Sequence, residues 1–176
     1  MFGRLQTVPA TERPDLLAPP VREALAAGHT PSAQVAPIDP ELADTAALCE
    51  AYDVPMEASA NCVIVTGRRA GVERHAACLV LATTRADVNG VVRRHLDARK
   101  ASFAGTDFAT AASGMEYGGI TPIGLPAQWP LLIDRAVVDA GTVVVGSGIR
   151  ASKIVVPAEE LAKLPGAMVL DDLALH

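Results

Sequence analysis

Short apolar segments separated by glycine and proline are the feature that most restricts how this chain folds. Roughly six or seven of them have the length and composition of β-strands, such as residues 62–66 and 76–83. About five others have helical periodicity, such as residues 39–52 and 87–96. Strands and helices do not alternate strictly, as they would in a doubly wound fold. The sequence therefore predicts an α+β fold with a mixed, largely antiparallel sheet of six to seven strands flanked by helices.

The first part of the chain differs in composition from the rest. Seven of its 13 prolines lie within the first 40 residues. Residues 20–27 have the pattern of a short helix that begins at a proline and ends before a glycine. We expect residues 1–35 to form an N-terminal extension with this helix, and residues 36–176 to form the functional domain.

Composition limits the kind of core and the compartment. Half of the residues are hydrophobic but only 3% are aromatic, so alanine, valine, leucine and isoleucine must build the core. No run approaches the roughly 18 apolar residues of a membrane span, and we expect no membrane partner. The three cysteines, Cys49, Cys62 and Cys78, have no CxxC spacing. A disulfide framework is therefore not expected, and the pattern favours a cytoplasmic protein.

Charge is unevenly distributed along the chain. The formal net charge is -5, yet eight of the 15 basic residues fall between Arg68 and Lys100. Such segregation allows either a polyanionic partner or an ordinary solvated surface. Extensive contact with duplex nucleic acid is disfavoured by the acidic total, whereas a small contact with an RNA end stays open.

Side-chain motifs for catalysis or cofactor binding are missing from the sequence. Cys62, His75 and Cys78 lack the close ligand pairs of zinc sites. No serine-hydrolase elbow and no phosphate-binding glycine loop is present. We therefore expect neither a metal nor a cofactor.

Residues 114–126 are the most informative segment for function. Four glycines and two prolines within these 13 residues are incompatible with a regular helix or strand. Adjacent glycines let the main chain approach a ligand closely and direct N–H groups at a carbonyl or an oxyanion. A tight structural turn is the alternative. Gly146, Ser147 and Gly148, which break a later strand, form a second candidate wall of the same cleft.

The stretch GGITPIG at residues 118–124 resembles the GxxxP loop of the YbaK/EbsC family of aminoacyl-tRNA editing domains. That family includes free-standing deacylases of Ala-tRNA(Pro) and Cys-tRNA(Pro) and the insertion domain of bacterial prolyl-tRNA synthetases. The similarity covers roughly residues 40–172. It continues through four further segments, at residues 104–114, 131–134, 143–148 and 153–166.

The resemblance implies a hydrolase that removes a wrongly attached amino acid from tRNA in trans, without a metal. The tRNA acceptor end would be the main partner, with an aminoacyl-tRNA synthetase as a further candidate. The implied catalytic positions are Gly118, Gly119, Ile120, Thr121, Pro122 and Asn61. The implied substrate-binding positions are Asp134, Gly146, Ser147, Gly148, Lys153, Arg68 and Arg85.

One position departs from the family pattern. Family members usually carry a lysine on the strand before the basic hairpin, where this chain has Asn61. Asparagine cannot supply a permanent positive charge. Two interpretations follow: another base, Arg68, Arg85 or Lys153, takes over, or the domain is a non-catalytic module that binds a tRNA end, a synthetase or a small ligand.

Overall fold

A computed structural model of the chain describes residues 2–176, which contain eleven β-strands and six α-helices. The strands are β1 (Val8–Pro9), β2 (Gln34–Pro37), β3 (Ala60–Arg69), β4 (Val72–Leu81), β5 (Arg85–Ala86), β6 (Lys100–Phe103), β7 (Leu131–Asp134), β8 (Thr142–Gly146), β9 (Ser152–Pro157), β10 (Ala167–Leu170) and β11 (Ala174–Leu175). The helices are α1 (Pro19–Ala26), α2 (Thr45–Tyr52), α3 (Arg93–His95), α4 (Thr106–Ser113), α5 (Arg135–Asp139) and α6 (Ala158–Leu161).

A five-stranded sheet contains the long β3–β4 hairpin at its centre. Its strand order is β10-β7-β4-β3-β6. The hairpin pairs Ala60 with Leu81 at one end and Arg69 with Val72 at the other. Ala70 and Gly71 form its turn with positive φ angles of 51° and 79°, the geometry that two-residue hairpin loops favour. β7 runs parallel to both β4 and β10, so this sheet is mixed.

The other strands form a four-stranded antiparallel sheet, β1-β2-β9-β8, and a two-stranded pair, β11-β5. A parallel bridge between Ser59 and Val144 links the two larger sheets. The α+β class with mixed, mostly antiparallel strands is confirmed. The strands are divided among three sheets rather than joined in one sheet of six to seven. Two-residue strands such as β1 and β11 are too short to show a period in the sequence.

The main core lies between the two larger sheets. Ile64 and Leu79 from one sheet and Val145 and Ile154 from the other belong to a single buried cluster. Helix α1 contributes Val21 to the same cluster, so part of the first 35 residues packs into the core. The boundary expected at residue 35 stays a prediction.

Two predicted helices are interrupted. The segment 87–96 folds as a π-helical turn, Val88–Val92, followed by α3, and the Asp87 carboxylate accepts hydrogen bonds from the N–H groups of Gly90 and Val91. The segment 39–52 is split into a 3₁₀ turn, Pro40–Leu42, and α2. The first residue of α2, Thr45, lines the same cavity as the glycine-rich segment described below. No helix within residues 2–176 has both the length and the apolar character needed to cross a lipid bilayer.

Candidate functional site

A cavity of about 340 Å³ opens where the two larger sheets meet residues 117–120. The N-terminal ends of α2, β3 and β9 and the C-terminal end of β8 contribute to its wall. It brings together residues that are far apart in the sequence. Among those that line it are Thr45, Asn61, Gly118, Ile120, Gly146 and Lys153.

Two main-chain N–H groups of the glycine-rich segment form no hydrogen bond within residues 2–176. Gly118 and Ile120 both line the cavity, and neither N–H group has an acceptor among residues 2–176. The N–H of Gly119 between them donates to the carbonyl of Glu116 over 2.9 Å, which closes a turn. Gly118 has a φ of 83°, a conformation that L side chains rarely adopt. The segment is therefore a fixed bend with two unused donors.

Close backbone packing explains the glycines at the ends of this bend and of β8. The N–H of Gly148 donates to the carbonyl of Gly119 over 2.7 Å. A Cβ atom at Gly146 would lie 2.5 Å from the carbonyl oxygen of Gly119. A Cβ atom at Gly119 would lie 2.8 Å from backbone atoms of Ile149. The two glycine-rich segments singled out in the sequence thus support one another.

Arg150 holds the bend from the outside. Its guanidinium donates to the carbonyl oxygen of Tyr117 over 3.2 Å and to that of Pro40 over 3.0 Å. Its main-chain N–H donates to Glu116 Oε1 over 2.8 Å. Sequence reasoning missed Arg150, because its partners lie 33 to 110 positions away and no local pattern marks them.

Asn61 lies in the cavity wall near the start of β3. Its Oδ1 accepts a hydrogen bond of 2.7 Å from the hydroxyl of Thr45, the first residue of α2. The amide N–H₂ of Asn61 is then the part of this side chain that remains for a ligand. Thr45 was not among the predicted site residues.

Lys153 supplies the cavity with a cation. It lies near the start of β9, is only 8% exposed, and forms no ion pair with any carboxylate in residues 2–176. Burial lowers the pKa of its ammonium group, and the neighbouring Arg150 charge lowers it further. Asp44 acts in the opposite direction. Of the three bases considered as replacements at position 61, Lys153 alone lines the cavity.

Several other predicted site residues lie outside the cavity lining. Asp134 is buried, caps α5 by accepting from the N–H of Ala136, and also accepts from the N–H of Ala174. The hydroxyl of Ser147 is buried 2.7 Å from that of Ser152. Both side chains are engaged within the fold.

Arg68 and Arg85 also lie away from the cavity. Arg68 is exposed near the β3–β4 turn and forms a 3.7 Å ion pair with Glu73. Arg85 is exposed on β5 and pairs with Leu175. The structure therefore does not bring either arginine to the cavity.

The end of the bend is buried. Thr121 and Pro122 do not line the cavity. The Thr121 hydroxyl has no hydrogen-bond partner among residues 2–176. Pro122 lies in the wall of a second cavity, of about 280 Å³, between α1, residues 122–131 and the segment after α6. This second cavity contains no other predicted site residue.

The cysteines and histidines form no metal centre. Within residues 2–176, no three His, Cys, Asp or Glu side chains are grouped so that they could hold a metal ion. Burial raises the pKa of Cys78 to about 12 and also raises that of Cys62, so both thiols stay protonated at neutral pH. His75 packs against Phe108 with ring centroids 4.4 Å apart.

The fold and the cavity define a small α+β domain whose cavity is lined by glycine-rich main chain and by one buried lysine. The family profile of the aminoacyl-tRNA editing domain matches residues 39–164. The chain belongs to this family. The match includes every residue of the cavity wall named above.

Solved structures share the fold at low sequence identity. The crystal structure of a candidate trans-editing enzyme for prolyl tRNA synthetase superposes with a TM-score of 0.75 at 20% identity, covering 91% of this chain and 99% of that one. A scaffold protein used for epitope backbone grafting by computational design superposes with a TM-score of 0.76 at 21% sequence identity, covering 90% of this chain and 97% of that one. A hypothetical protein superposes with a TM-score of 0.75 at 19% identity, covering 88% of this chain and 99% of that one. These similarities establish the fold, and membership of the family supports a role in aminoacyl-tRNA editing.

Proposed function

We propose that this domain hydrolyses the ester bond of mischarged aminoacyl-tRNA in trans. The single observation that carries the proposal is the pair of unused N–H groups, on Gly118 and Ile120, in the wall of a cavity that also contains Asn61 and Lys153. Ester hydrolysis by polarisation requires a cavity large enough for the ligand, with hydrogen-bond donors in its wall that the fold does not use. Membership of the editing family supplies the substrate class.

The chemistry needs no side-chain nucleophile. A water molecule would attack the aminoacyl carbonyl carbon, oriented by a ribose hydroxyl of the substrate. The carbonyl oxygen would become an oxyanion held by the Gly118 and Ile120 amides, each such donor contributing roughly 10²- to 10³-fold in rate. The carbonyl would then re-form as the C–O ester bond breaks, and the leaving ribose oxygen would take the proton that the attacking water gives up. Ser147, buried against Ser152, and the protonated thiol of Cys62 do not qualify as nucleophiles.

The cavity would select among amino acids by size. Its 340 Å³ must hold both the aminoacyl group and part of the terminal ribose. A rigid wall made of backbone rejects larger side chains, in the manner of a second sieve. Because one structural relative is a candidate trans-editing enzyme for prolyl tRNA synthetase, we propose alanine or cysteine on tRNA(Pro) as the first substrates to examine. A synthetase is the proposed second partner.

The basic β3–β4 hairpin would contact the tRNA backbone. β3 leads from Asn61 in the cavity to Arg68, seven residues further along the strand. At ~3.3 Å per residue this is about 23 Å. Around the hairpin turn a shallow depression is lined by Arg68, Arg69, Arg99 and Lys100. The structure thus offers a basic surface at one end of a strand whose other end reaches the cavity.

A non-catalytic module that binds the acceptor end is the alternative, favoured by the neutral Asn61. A panel of mischarged tRNAs distinguishes the two functions. We expect the protein to release amino acid from at least one of them above the spontaneous rate, and Gly118→Val to abolish the release while the domain stays folded. Tight binding of the tRNAs without any release would support the binding module instead.

A further inference from the structure

Lys153 is a buried cation without a fixed counter-ion. The chain has three lysines, and the other two, Lys100 and Lys163, are exposed. Lys153 pairs with Gly146 on one side and with Ala36 on the other, so it lies on an internal strand of the four-stranded sheet. A buried charge is costly unless it is paired. No carboxylate within residues 2–176 forms an ion pair with it.

The groups around Lys153 do not neutralise it. Asp44, the acidic residue of the cavity wall, is exposed at the rim. Arg150 is a second positive charge in its neighbourhood, and the guanidinium of Arg150 is already bonded to two carbonyl oxygens. Asp44 also makes no side-chain hydrogen bond to the first turn of α2, which begins at the cavity. Lys153 therefore has no buried carboxylate beside it among residues 2–176, and the exposed Asp44 at the rim is the acidic residue of the cavity lining.

We infer that Lys153 is the residue that binds an anionic oxygen of the ligand in this cavity. The inference rests on the proposed function for the identity of that oxygen. It is either a phosphate oxygen of the terminal nucleotide or the oxyanion that develops on the ester carbonyl. In both cases the ligand supplies the negative charge that pairs with Lys153, since no carboxylate among residues 2–176 forms an ion pair with it.

The neutral side chain at position 61 fits this assignment. Asn61 and Lys153 line one cavity, from β3 and β9 respectively. A second ammonium group at position 61 would add a like charge to a partly desolvated site, which is unfavourable. The single cation is therefore placed on β9, and the side chain on β3 is a neutral donor.

The position of the cation can be tested by moving the lysine from position 153 on β9 to position 61 on β3. We expect Asn61→Lys alone to lower kcat/KM, because two ammonium groups would then repel. We expect the double variant Asn61→Lys with Lys153→Met to recover part of the activity that Lys153→Met loses, since one cation is restored to the cavity. Equal activity of the double variant and Lys153→Met would show that the charge must come from β9.

The decisive experiment compares Lys153→Met, Lys153→Arg and the matched control Lys163→Met, a lysine outside this cavity. Their kcat and KM are measured on the mischarged tRNA that the panel identifies. Binding is measured by calorimetry with two non-hydrolysable amide analogues of aminoacyl-adenosine, one with a 5′-phosphate and one without. Thermal unfolding is followed for every variant to confirm that it folds.

The result expected for Lys153→Met is a loss of roughly 10²- to 10³-fold in kcat/KM, with partial recovery in Lys153→Arg and none of the loss in Lys163→Met. A weaker affinity limited to the phosphorylated analogue assigns the oxygen to the phosphate. A lower kcat with unchanged affinity for both analogues assigns it to the oxyanion. Wild-type rates and affinities in Lys153→Met would overturn the inference while leaving the deacylase intact. If the wild type hydrolyses no substrate, the deacylase proposal fails, and the two analogues still decide whether Lys153 binds an anion.

Discussion

The hydroxyl of Thr45 donates a 2.7 Å hydrogen bond to Oδ1 of Asn61 and so fixes which end of that amide remains for a ligand. We expect Thr45→Val to free the Asn61 side chain and to lower kcat/KM by about fivefold, the effect of losing one positioning hydrogen bond of ~1 kcal/mol. Thr45→Ser keeps the donor and should keep the activity. Steady-state kinetics on the mischarged tRNA that the panel identifies measure both variants. A loss in Thr45→Ser with wild-type activity in Thr45→Val would mean that the methyl group of Thr45, not its hydroxyl, matters.

Gly118 and Gly71 provide a matched pair for the role of the bend. Both have positive φ angles, 83° and 79°. A Cβ atom at Gly118 would lie 2.4 Å from the guanidinium of Arg150, whereas one at Gly71 would meet nothing within 4 Å. Each alanine variant should lose roughly 1 kcal/mol of stability from backbone strain. We expect only Gly118→Ala to lose deacylation, because it displaces Arg150. Equal activity in the two variants would remove the bend from the mechanism.

Thr121 lies in the GxxxP motif, but its hydroxyl is buried without a partner among residues 2–176. Replacement by the isosteric valine removes an unsatisfied polar group, which costs roughly 1–3 kcal/mol when buried. We therefore expect Thr121→Val to raise the denaturation midpoint and to leave kcat unchanged, as measured by urea unfolding and deacylation. A fall in kcat at unchanged stability would assign the hydroxyl a direct part in the reaction.

The lowered pKa of Lys153 predicts how the stability of the domain depends on pH. Burial holds this pKa below the ordinary value of 10.5, so between the two values the unfolded chain binds more protons than the folded one. The contribution of Lys153 to stability is thus least favourable below its folded pKa and improves as pH rises toward 10.5. We expect Lys153→Met to be more stable than the wild type at pH 7 and to lose this part of the pH dependence. Urea titrations at several pH values test it, with Lys163→Met expected to follow the wild type.

The sequence was sufficient to predict the α+β class, the β3–β4 hairpin and the glycine-rich bend. Each has a local cause: short apolar runs between turn residues, turn geometry, or glycine where the main chain must pack closely. The distribution of strands over separate sheets was not predictable, because it depends on pairings such as Ser59 with Val144 across 85 positions. The sequence of a short apolar strand does not show which other strand it pairs with.

In the candidate site too, the locally determined features were predictable from the sequence and those that depend on distant contacts were not. The backbone part, Gly118 to Ile120 with Gly146, was predicted from composition and resemblance. The side chains that complete it, Thr45 and Arg150, come from segments whose proximity only the tertiary fold creates. Asp134 and Ser147 were substrate-binding positions implied by the family resemblance, whereas in the structure their polar atoms take part in helix capping and in the core. A polar residue at the end of a strand can bind a substrate or cap the following helix. The sequence alone does not distinguish these two roles.

Arg68 and Arg69 test whether the tRNA backbone lies on the hairpin. Both are exposed near its turn, and their ion pairs with Glu73 and Asp97 are long, at 3.7 and 3.6 Å. We expect the double variant Arg68→Gln with Arg69→Gln to raise KM and leave kcat unchanged, because the chemistry occurs about 23 Å away along β3. The slope of log KM against log salt should fall by roughly 0.7–0.9 for each phosphate contact that is lost.

The matched control for this variant is Arg22→Gln with Arg135→Gln, which removes the same charge from exposed positions outside the hairpin. Long-range attraction of tRNA to the whole protein would change KM in both double variants alike, since it depends on net charge rather than position. Contact of the tRNA with the hairpin would change KM only in the double variant at Arg68 and Arg69. An unchanged salt slope in the Arg68 and Arg69 variant would place the tRNA on another surface, and the cavity would then have to receive the acceptor end from the side of α2 and Tyr117.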